Sequence, residues 1–200
     1  SVFRDATGCL SFYAPGHGDL LAVLHNSPIL RSFESHGGRY LMVSNVDNLL
    51  ATVDPEILGA HIDSGKAVTV EVAERQANDT GGAPVYLDGK PQILEGMRFP
   101  EGYPMDTLTA FNTNTFILDV AALQTVYPLT WSRVDKNLGT EQVVQFEQLL
   151  GEITAFIPSQ FLLVPRSGNK GRFLPIKTPE DLERLRKELE RQFGSTLENC

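Results

Sequence analysis

From Asp19 to about Gly37 the apolar positions Leu20, Leu21, Val23, Leu24, Ile29, Leu30 and Phe33 recur at helical spacing. Ser27-Pro28 divides that stretch into two short helices. Tyr40–Val43 is an unbroken apolar run and predicts a buried strand. Asp54 and Pro55 supply the cap and first residue of a helix over Pro55–Ser64, which Gly65 closes. Residues 67–73 alternate Val68, Val70 and Val72 with Thr69 and Glu71, the period of a strand. Residues 85–87 and 91–94 flank Asp88-Gly89, a strong hairpin signal. Residues 111–118 predict a strand running into a short helix near 119–126, and residues 129–135 predict another strand. Residues 142–156 read as a helix with Val143, Phe146, Leu149, Leu150 and Ile153 on one face. A strand over 161–164 and an extended piece over 172–175 follow. Thr178-Pro179-Glu180-Asp181 then opens a last helix, with Thr178 as cap and Asp181 placed for a capping box.

Strands separated by helices, with one hairpin inserted, predict an α/β fold whose sheet is mixed and mainly parallel. Residues 1–193 form a single domain on this reading, and 194–200 a frayed tail. A length of 200 residues with 42% hydrophobic content suffices for one cored domain. No apolar run approaches the ~20 residues of a membrane span, and no N-terminal segment reads as a signal peptide. Cys9 and Cys200 lie at opposite ends and have no metal-ligand spacing; they read as a disulfide between the termini or, by preference, as reduced thiols of a cytoplasmic protein. A net charge of −8 without a basic run argues against nucleic acid as partner. A triphosphate remains compatible, because it needs only local cations, a metal ion and oriented amides.

Candidate chemistry gathers where strands begin or end. The run Tyr40–Val43 stops in Asn45-Val46-Asp47-Asn48, and in open α/β sheets ligands collect at the carboxyl ends of strands. One carboxylate between two amides suits Mg²⁺ carried in on phosphates, though the same cluster fits an Asx-rich turn. Pro15-Gly16-His17-Gly18-Asp19 pairs a rigid Pro with two Gly, so its backbone can approach a flat ligand. Gly81-Gly82 reads as a flexible turn or as exposed amides, and Asn112 and Asn114 as edge caps or ligands to hydroxyls. Glu95 leaves the hairpin as either a solvated acid or a sugar ligand. Lys177 stands just before a helix N-terminus, where it can face a phosphate or pair with Glu180 on the surface.

Taken in order, Pro-Gly-His-Gly-Asp, Ser-Asn-x-Asp-Asn, Phe-Asn-Thr-Asn and Arg-Phe-Leu-Pro-Ile-Lys resemble the UTP–glucose-1-phosphate uridylyltransferase family over about residues 14–185. The wording around them (Gly-Gly-Ala-Pro, Glu-Gly-Met-Arg-Phe-Pro) looks bacterial. The resemblance implies a nucleotide-diphospho-sugar transferase core, Rossmann-like and of the GT-A type. It implies Mg²⁺ on Asp47, with Asn45 orienting the sugar phosphate and Asn48 supporting it. Gly16 and His17 would lie against the nucleotide, and Gly81, Gly82, Asn112 and Glu95 against the sugar. Lys177 would be the catalytic cation, and Arg172 would brace its loop. Thr80 stands where the family commonly has a Lys. UTP and a sugar-1-phosphate are the implied partners, with no nucleic acid and no membrane, and the oligomeric state is left open.

Family members carry a first strand and a glycine-rich phosphate loop before the Pro-Gly-His-Gly segment, and nothing in residues 1–13 resembles it. The expectation is a chain truncated at its N-terminus. With Lys177 and a metal on Asp47 as the only obvious positive charges, it would be inactive alone. Galactose-1-phosphate or an N-acetylhexosamine-1-phosphate are alternative substrates, although amino-sugar enzymes usually carry Gly-Asn-Gly-Gly where this chain has Gly16-His17-Gly18-Asp19. A non-catalytic nucleotide-sugar-binding remnant is a third reading.

Overall fold

The structure, a computed structural model, describes residues 2–5, 7–77, 79, 81–138 and 141–194. Thr80, Cys200 and the tail beyond Gly194 lie outside the described residues. Two short helices, α1 (Asp19–Asn26) and α2 (Pro28–Ser35), precede strand β1 (Tyr40–Val43) and helix α3 (Pro55–Ser64). Strand β2 (Val68–Glu74) leads into the hairpin β3 (Ala83–Leu87) and β4 (Lys90–Leu94), then β5 (Ala110–Asp119). The hairpin β6 (Ser132–Leu138) and β7 (Glu141–Glu147), strand β8 (Ser159–Leu163) and helix α4 (Pro179–Phe193) complete the order.

The local signals act as their chemistry demands. Asp54 accepts from the amides of Glu56 and Ile57, and Gly65 ends α3 at φ 60°. Asp88 and Gly89 both take positive φ, the two left-handed positions that close a two-residue hairpin. Thr178 and Asp181 form the full capping box of α4.

The main sheet has the order β1-β5-β2-β8. β1, β2 and β8 point the same way, while β5 runs against them, so only β2 with β8 is a parallel pairing. The sheet is mixed, and mainly parallel in strand direction but not in pairing. β2 is buried on both faces. Val68, Val70 and Val72 pack with Phe116, Leu118, Leu150 and Ile153 in the principal core. Thr69, Glu71 and Ala73 fill the other face, where His61 bonds Thr69 at 2.8 Å and Arg172 meets Glu71.

Residues 142–156 are not a helix. Residues 141–147 form β7, paired with β6, and only Leu150–Ala155 makes a tight 3₁₀ turn. The β-branched pair Val143-Val144 favours a strand, and Val143, Gln145 and Glu147 turn inward while their neighbours face water. Gly151, inside that turn, lies where a Cβ would be 2.8 Å from Glu95 Oε1 and from Ile93 Cγ2, so the turn packs directly on the end of β4. The helix expected near 119–126 is likewise a 3₁₀ segment, Val120–Gln124.

Candidate functional site

Three codirectional strands end on one edge of the sheet. β1 runs into residues 44–48, β2 into Arg75 and Gln76, and β8 into 164–166, with the start of β5 among them. A cavity of about 430 Å³ opens there. Its wall includes His17, Asn45, Gly81, Gly82, Glu95, Asn112 and Lys177. Seven of the residues singled out by sequence therefore share one cavity, although they span 161 positions of chain (177 − 17 + 1).

Asn112 and Asn114 stand not at the start of a strand but at a bulge inside it. Glu71 pairs with Thr115 and Val72 with Asn112, which leaves Thr113 and Asn114 as extra residues. Thr113 donates its hydroxyl to the Glu71 carbonyl at 2.8 Å, and Asn114 takes φ 60°. The Asn112 Oδ1 then accepts from the Asn114 amide at 2.9 Å, and Asn114 Nδ2 donates to Asn45 Oδ1 at 2.6 Å. The bulge thus links β5 to the end of β1. Asn114 Oδ1 is buried without a partner among the described residues.

Gly82 is required by close packing: a Cβ there would lie 2.9 Å from both Glu95 Oε2 and the Leu94 carbonyl. Its amide donates to Glu95 and its carbonyl accepts from Asn112 N at 2.7 Å. Gly82 therefore holds the wall together, and of the two glycines only Gly81 has an amide left for a ligand. Glu95 Oε1 is buried and unpartnered among the described residues. Burial pushes the Glu95 carboxyl up, with Glu152 adding to the shift and Arg98 and the Gly82 amide only partly opposing it.

His17 accepts at Nδ1 from the Leu150 amide, 2.9 Å away, which leaves Nε2 to carry the proton. Burial pulls the ring below its ordinary pKa against the pull of Glu147, so the neutral ring is the resting form. Gly16 does not line the cavity. It sits at φ 90°, where a Cβ would be 2.4 Å from the Gln148 carbonyl, and a Cβ on Gly18 would be 2.6 Å from the Gln148 carbonyl carbon. Gly18 N donates to that carbonyl, and Gln148 N donates to Pro15 O, both at 2.8 Å. The glycines of this loop admit the close approach of the protein's own backbone at 147–149.

Asp47 is half-buried and lies outside the cavity wall, although its neighbour Asn45 is within it. Its carbonyl accepts from Ile176 N at 2.9 Å, and its carboxylate has no partner among the described residues. Asn48 is buried and does not face the cavity. It donates to the Arg172 carbonyl at 3.0 Å and accepts from Leu174 N at 2.8 Å, so both ends of its amide tie the 44–48 loop to the 172–177 segment. No group of three or more His, Cys, Asp or Glu placed to hold a metal occurs among the described residues. A Mg²⁺ ion held mainly by phosphate oxygens needs only one or two carboxylates, and the unpartnered Asp47 fits that demand.

Arg172 braces its loop from within. Its Nε and Nη2 donate to the two oxygens of Glu71 at 2.8 and 2.6 Å, and Nη2 also to Thr52 O at 2.9 Å. Burial would lower its pKa, but Glu71, with Asp54 behind it, raises it overall. Lys177 points the other way. It is exposed at the cavity and makes no ion pair among the described residues, with Glu180 or any other acid.

Two further cations stand in the wall, Arg166 and Arg184, and neither belongs to a motif of the sequence. Arg166 lies over the rings of Phe111 and Phe173, 4.9 and 5.0 Å from their centroids, and makes a bidentate pair with Asp79. Arg184 bonds Asp181. Lys177 and a metal are therefore not the only positive charges at the site. Position 184 falls seven residues after Lys177, on the same helical face as Asp181, which is the signal that points to it.

A polar, cation-bearing cavity at the carboxyl ends of codirectional strands marks the ligand-binding edge of an α/β core, and solved UDP-sugar pyrophosphorylases place that core in the nucleotide-sugar transferase class. The chain belongs to the UTP–glucose-1-phosphate uridylyltransferase family, whose model matches residues 4–194. It is 30% identical over 203 residues to the UTP–glucose-1-phosphate uridylyltransferase of Encephalitozoon cuniculi, covering 96% of this chain and 40% of that protein. The Saccharomyces cerevisiae enzyme of the same name is 32% identical, with 92% of this chain and 40% of the relative covered. Among solved structures, the UDP-glucose phosphorylase of Trypanosoma brucei superimposes with a TM-score of 0.75 at 28% identity, over 92% of this chain and 46% of that one. A variant UDP-glucose pyrophosphorylase from Leishmania major in complex with UDP-glucose gives a TM-score of 0.68 at 28% identity, over 90% and 45%. A putative UDP-N-acetylglucosamine pyrophosphorylase from Entamoeba histolytica, 14% identical with a TM-score of 0.81 over 95% and 54%, shares the fold. The chain thus spans about 40% of the length of the curated relatives it matches. No helix among the described residues is long and apolar enough to cross a membrane.

Proposed function

We propose that this chain forms the sugar-phosphate side of an enzyme that makes UDP-glucose and pyrophosphate from UTP and glucose-1-phosphate in the cytoplasm. The observation that carries the reading is the one cavity whose wall carries Asn112, Gly81 and Glu95 together with Lys177 and Asn45. Amides and a carboxyl group suit vicinal hydroxyls, and a cation beyond them suits a phosphate.

In the proposed reaction an oxygen of the sugar phosphate attacks the α-phosphorus of UTP in line. The bond from that phosphorus to the β-phosphate oxygen breaks, and pyrophosphate leaves. Little covalent work falls to the protein; alignment and charge neutralisation supply the rate. Asn112 and the Gly81 amide fix the sugar ring. Lys177 neutralises its phosphate so that two anions can approach. His17, held neutral by burial and by the Leu150 amide, offers Nε2–H as a donor without adding charge. Asp47 would hold Mg²⁺, which when bound supplies charge neutralisation between the reacting phosphates. Gly16-His17-Gly18-Asp19, where amino-sugar enzymes usually carry Gly-Asn-Gly-Gly, supports glucose over an N-acetylhexosamine.

Pyrophosphate release by the full-length protein, measured with UTP and each of glucose-1-phosphate, galactose-1-phosphate and N-acetylglucosamine-1-phosphate, tests this. An N-acetyl group would leave a buried partner unsatisfied, so glucose-1-phosphate should lead it by roughly a hundredfold in kcat/KM. Equal use of both sugars would overturn the substrate assignment.

A further inference from the structure

Arg184 lines the same cavity as Lys177, from the second turn of α4 rather than from the segment before it. Asp181 stands between them with its two oxygens given different tasks. Oδ2 accepts from the amides of Lys177 and Thr178, at 3.1 and 3.2 Å, and so closes the helix cap. Oδ1 accepts from Arg184 Nη2 at 2.7 Å. The guanidinium offers five N–H donors, and this is the one hydrogen bond it makes among the described residues.

The other acid–base pairing in the wall is closed: Arg166 and Asp79 satisfy each other twice, at 2.6 and 2.9 Å, under aromatic cover. The Arg184 side chain is 63% exposed and that of Asp181 25%, so their bond forms in water and is weak by nature. A phosphate monoester carries nearly two negative charges and presents oxygens that a planar guanidinium matches in pairs. Lys177 alone neutralises about half of that charge.

We infer that Arg184 is a second phosphate-binding cation of this site, parked on Asp181 in the free protein and transferred to the phosphate of the sugar-1-phosphate when it binds. The inference rests on the uridylyltransferase reading for the identity of the ligand. Asp181 keeps its capping bonds throughout, so the exchange leaves the helix start intact and costs one exposed hydrogen bond. The carboxylate is thus both the guide that sets Arg184 beside Lys177 and a competitor that phosphate must displace.

The test uses the full-length protein and the variants R184Q, R184K and D181N. R184Q should raise KM for glucose-1-phosphate roughly fivefold or more, with a smaller change in kcat and in KM for UTP. R184K should recover part of the loss, because it restores charge without the paired donors. D181N, which retains a capping oxygen but loses the competing charge, should move KM for glucose-1-phosphate downward. A structural role for the pair predicts that R184Q and D181N shift KM in the same direction. That result, or an unchanged KM in R184Q, would overturn the inference. Calorimetric titration of glucose-1-phosphate into the same proteins reads the affinities without turnover. If the wild type binds the sugar phosphate but releases no pyrophosphate, the uridylyltransferase reading fails while the affinity order of the variants still decides the role of Arg184.

Discussion

Arg172 and Arg184 lie twelve positions apart (184 − 172), and each holds a carboxylate, yet they belong to different regimes. Arg172 is 6% exposed, with Nε and Nη2 given to Glu71 and Thr52 and Nη1 3.7 Å from Asp54, while Arg184 stands mostly in water with a single bond among the described residues. The buried pair is closed to water, so removing one partner strands a charge on that face of the sheet. The exposed pair has water as its alternative and can be traded for another anion. A shared residue type therefore says little about role. What decides is how many of a cation's donors the protein has already committed.

The contrast is broken most severely at its buried end. R172A should destabilise the fold by about 3–5 kcal/mol, because Glu71 is left charged and without a partner. R184A should leave the denaturation midpoint nearly unchanged. Chemical denaturation of both variants checks this, and equal effects would erase the distinction.

The same comparison holds for the carboxylates. Glu71 is spent on Arg172, whereas Asp47 has no partner among the described residues. D47A in the full-length enzyme should leave stability intact and lower turnover roughly a thousandfold or more. Retention of a tenth of the activity at saturating Mg²⁺ would remove Asp47 from the site.

Glu95 sharpens the comparison from a third side, being enclosed but unpaired at Oε1 among the described residues. Its folded pKa is raised, so its contribution to stability is complete below the ordinary carboxyl range and is lost as pH rises through the folded value. At neutral pH, ionising the enclosed carboxyl costs the folded state stability. E95Q should raise the melting temperature by roughly 2–4 °C at pH 7 and make little difference at pH 4, while weakening sugar binding. A flat difference across that range would show that the carboxyl is not desolvated. The smallest effect is at the cap: T178A removes one hydrogen bond to Asp181 N and should cost about 1 kcal/mol, read from a thermal melt.

Much of this molecule is legible in its sequence where one short-range rule dominates. Asp54-Pro55, Asp88-Gly89 and Thr178-Pro179 each specify a cap or a turn within four residues, and each element begins or turns where they say. The stretch 142–156 misleads because Val143, Phe146, Leu150 and Ile153 fit a helical stripe, while the pairing that wins comes from β6. Nothing local reveals a partner strand. The cavity follows the same division. Polar residues at strand ends announce themselves, but Asn48 turns inward to bond residues 124 and 126 positions away. Arg166 and Arg184 have no motif to mark them.

The Asn48 bridge has a mechanical consequence. Besides its two side-chain bonds, Leu49 N reaches Leu174 O at 3.2 Å and Ile176 N reaches Asp47 O at 2.9 Å, which rivets the segment bearing Asp47 to the segment bearing Lys177. The two have lost the freedom to swing apart. Any opening that admits or releases a ligand must carry them together as one jaw, with the travel taken up elsewhere around the rim. Asn48 touches neither charge, yet cutting it would let the two drift out of step, so that a site with every reactive group in place would keep poor time.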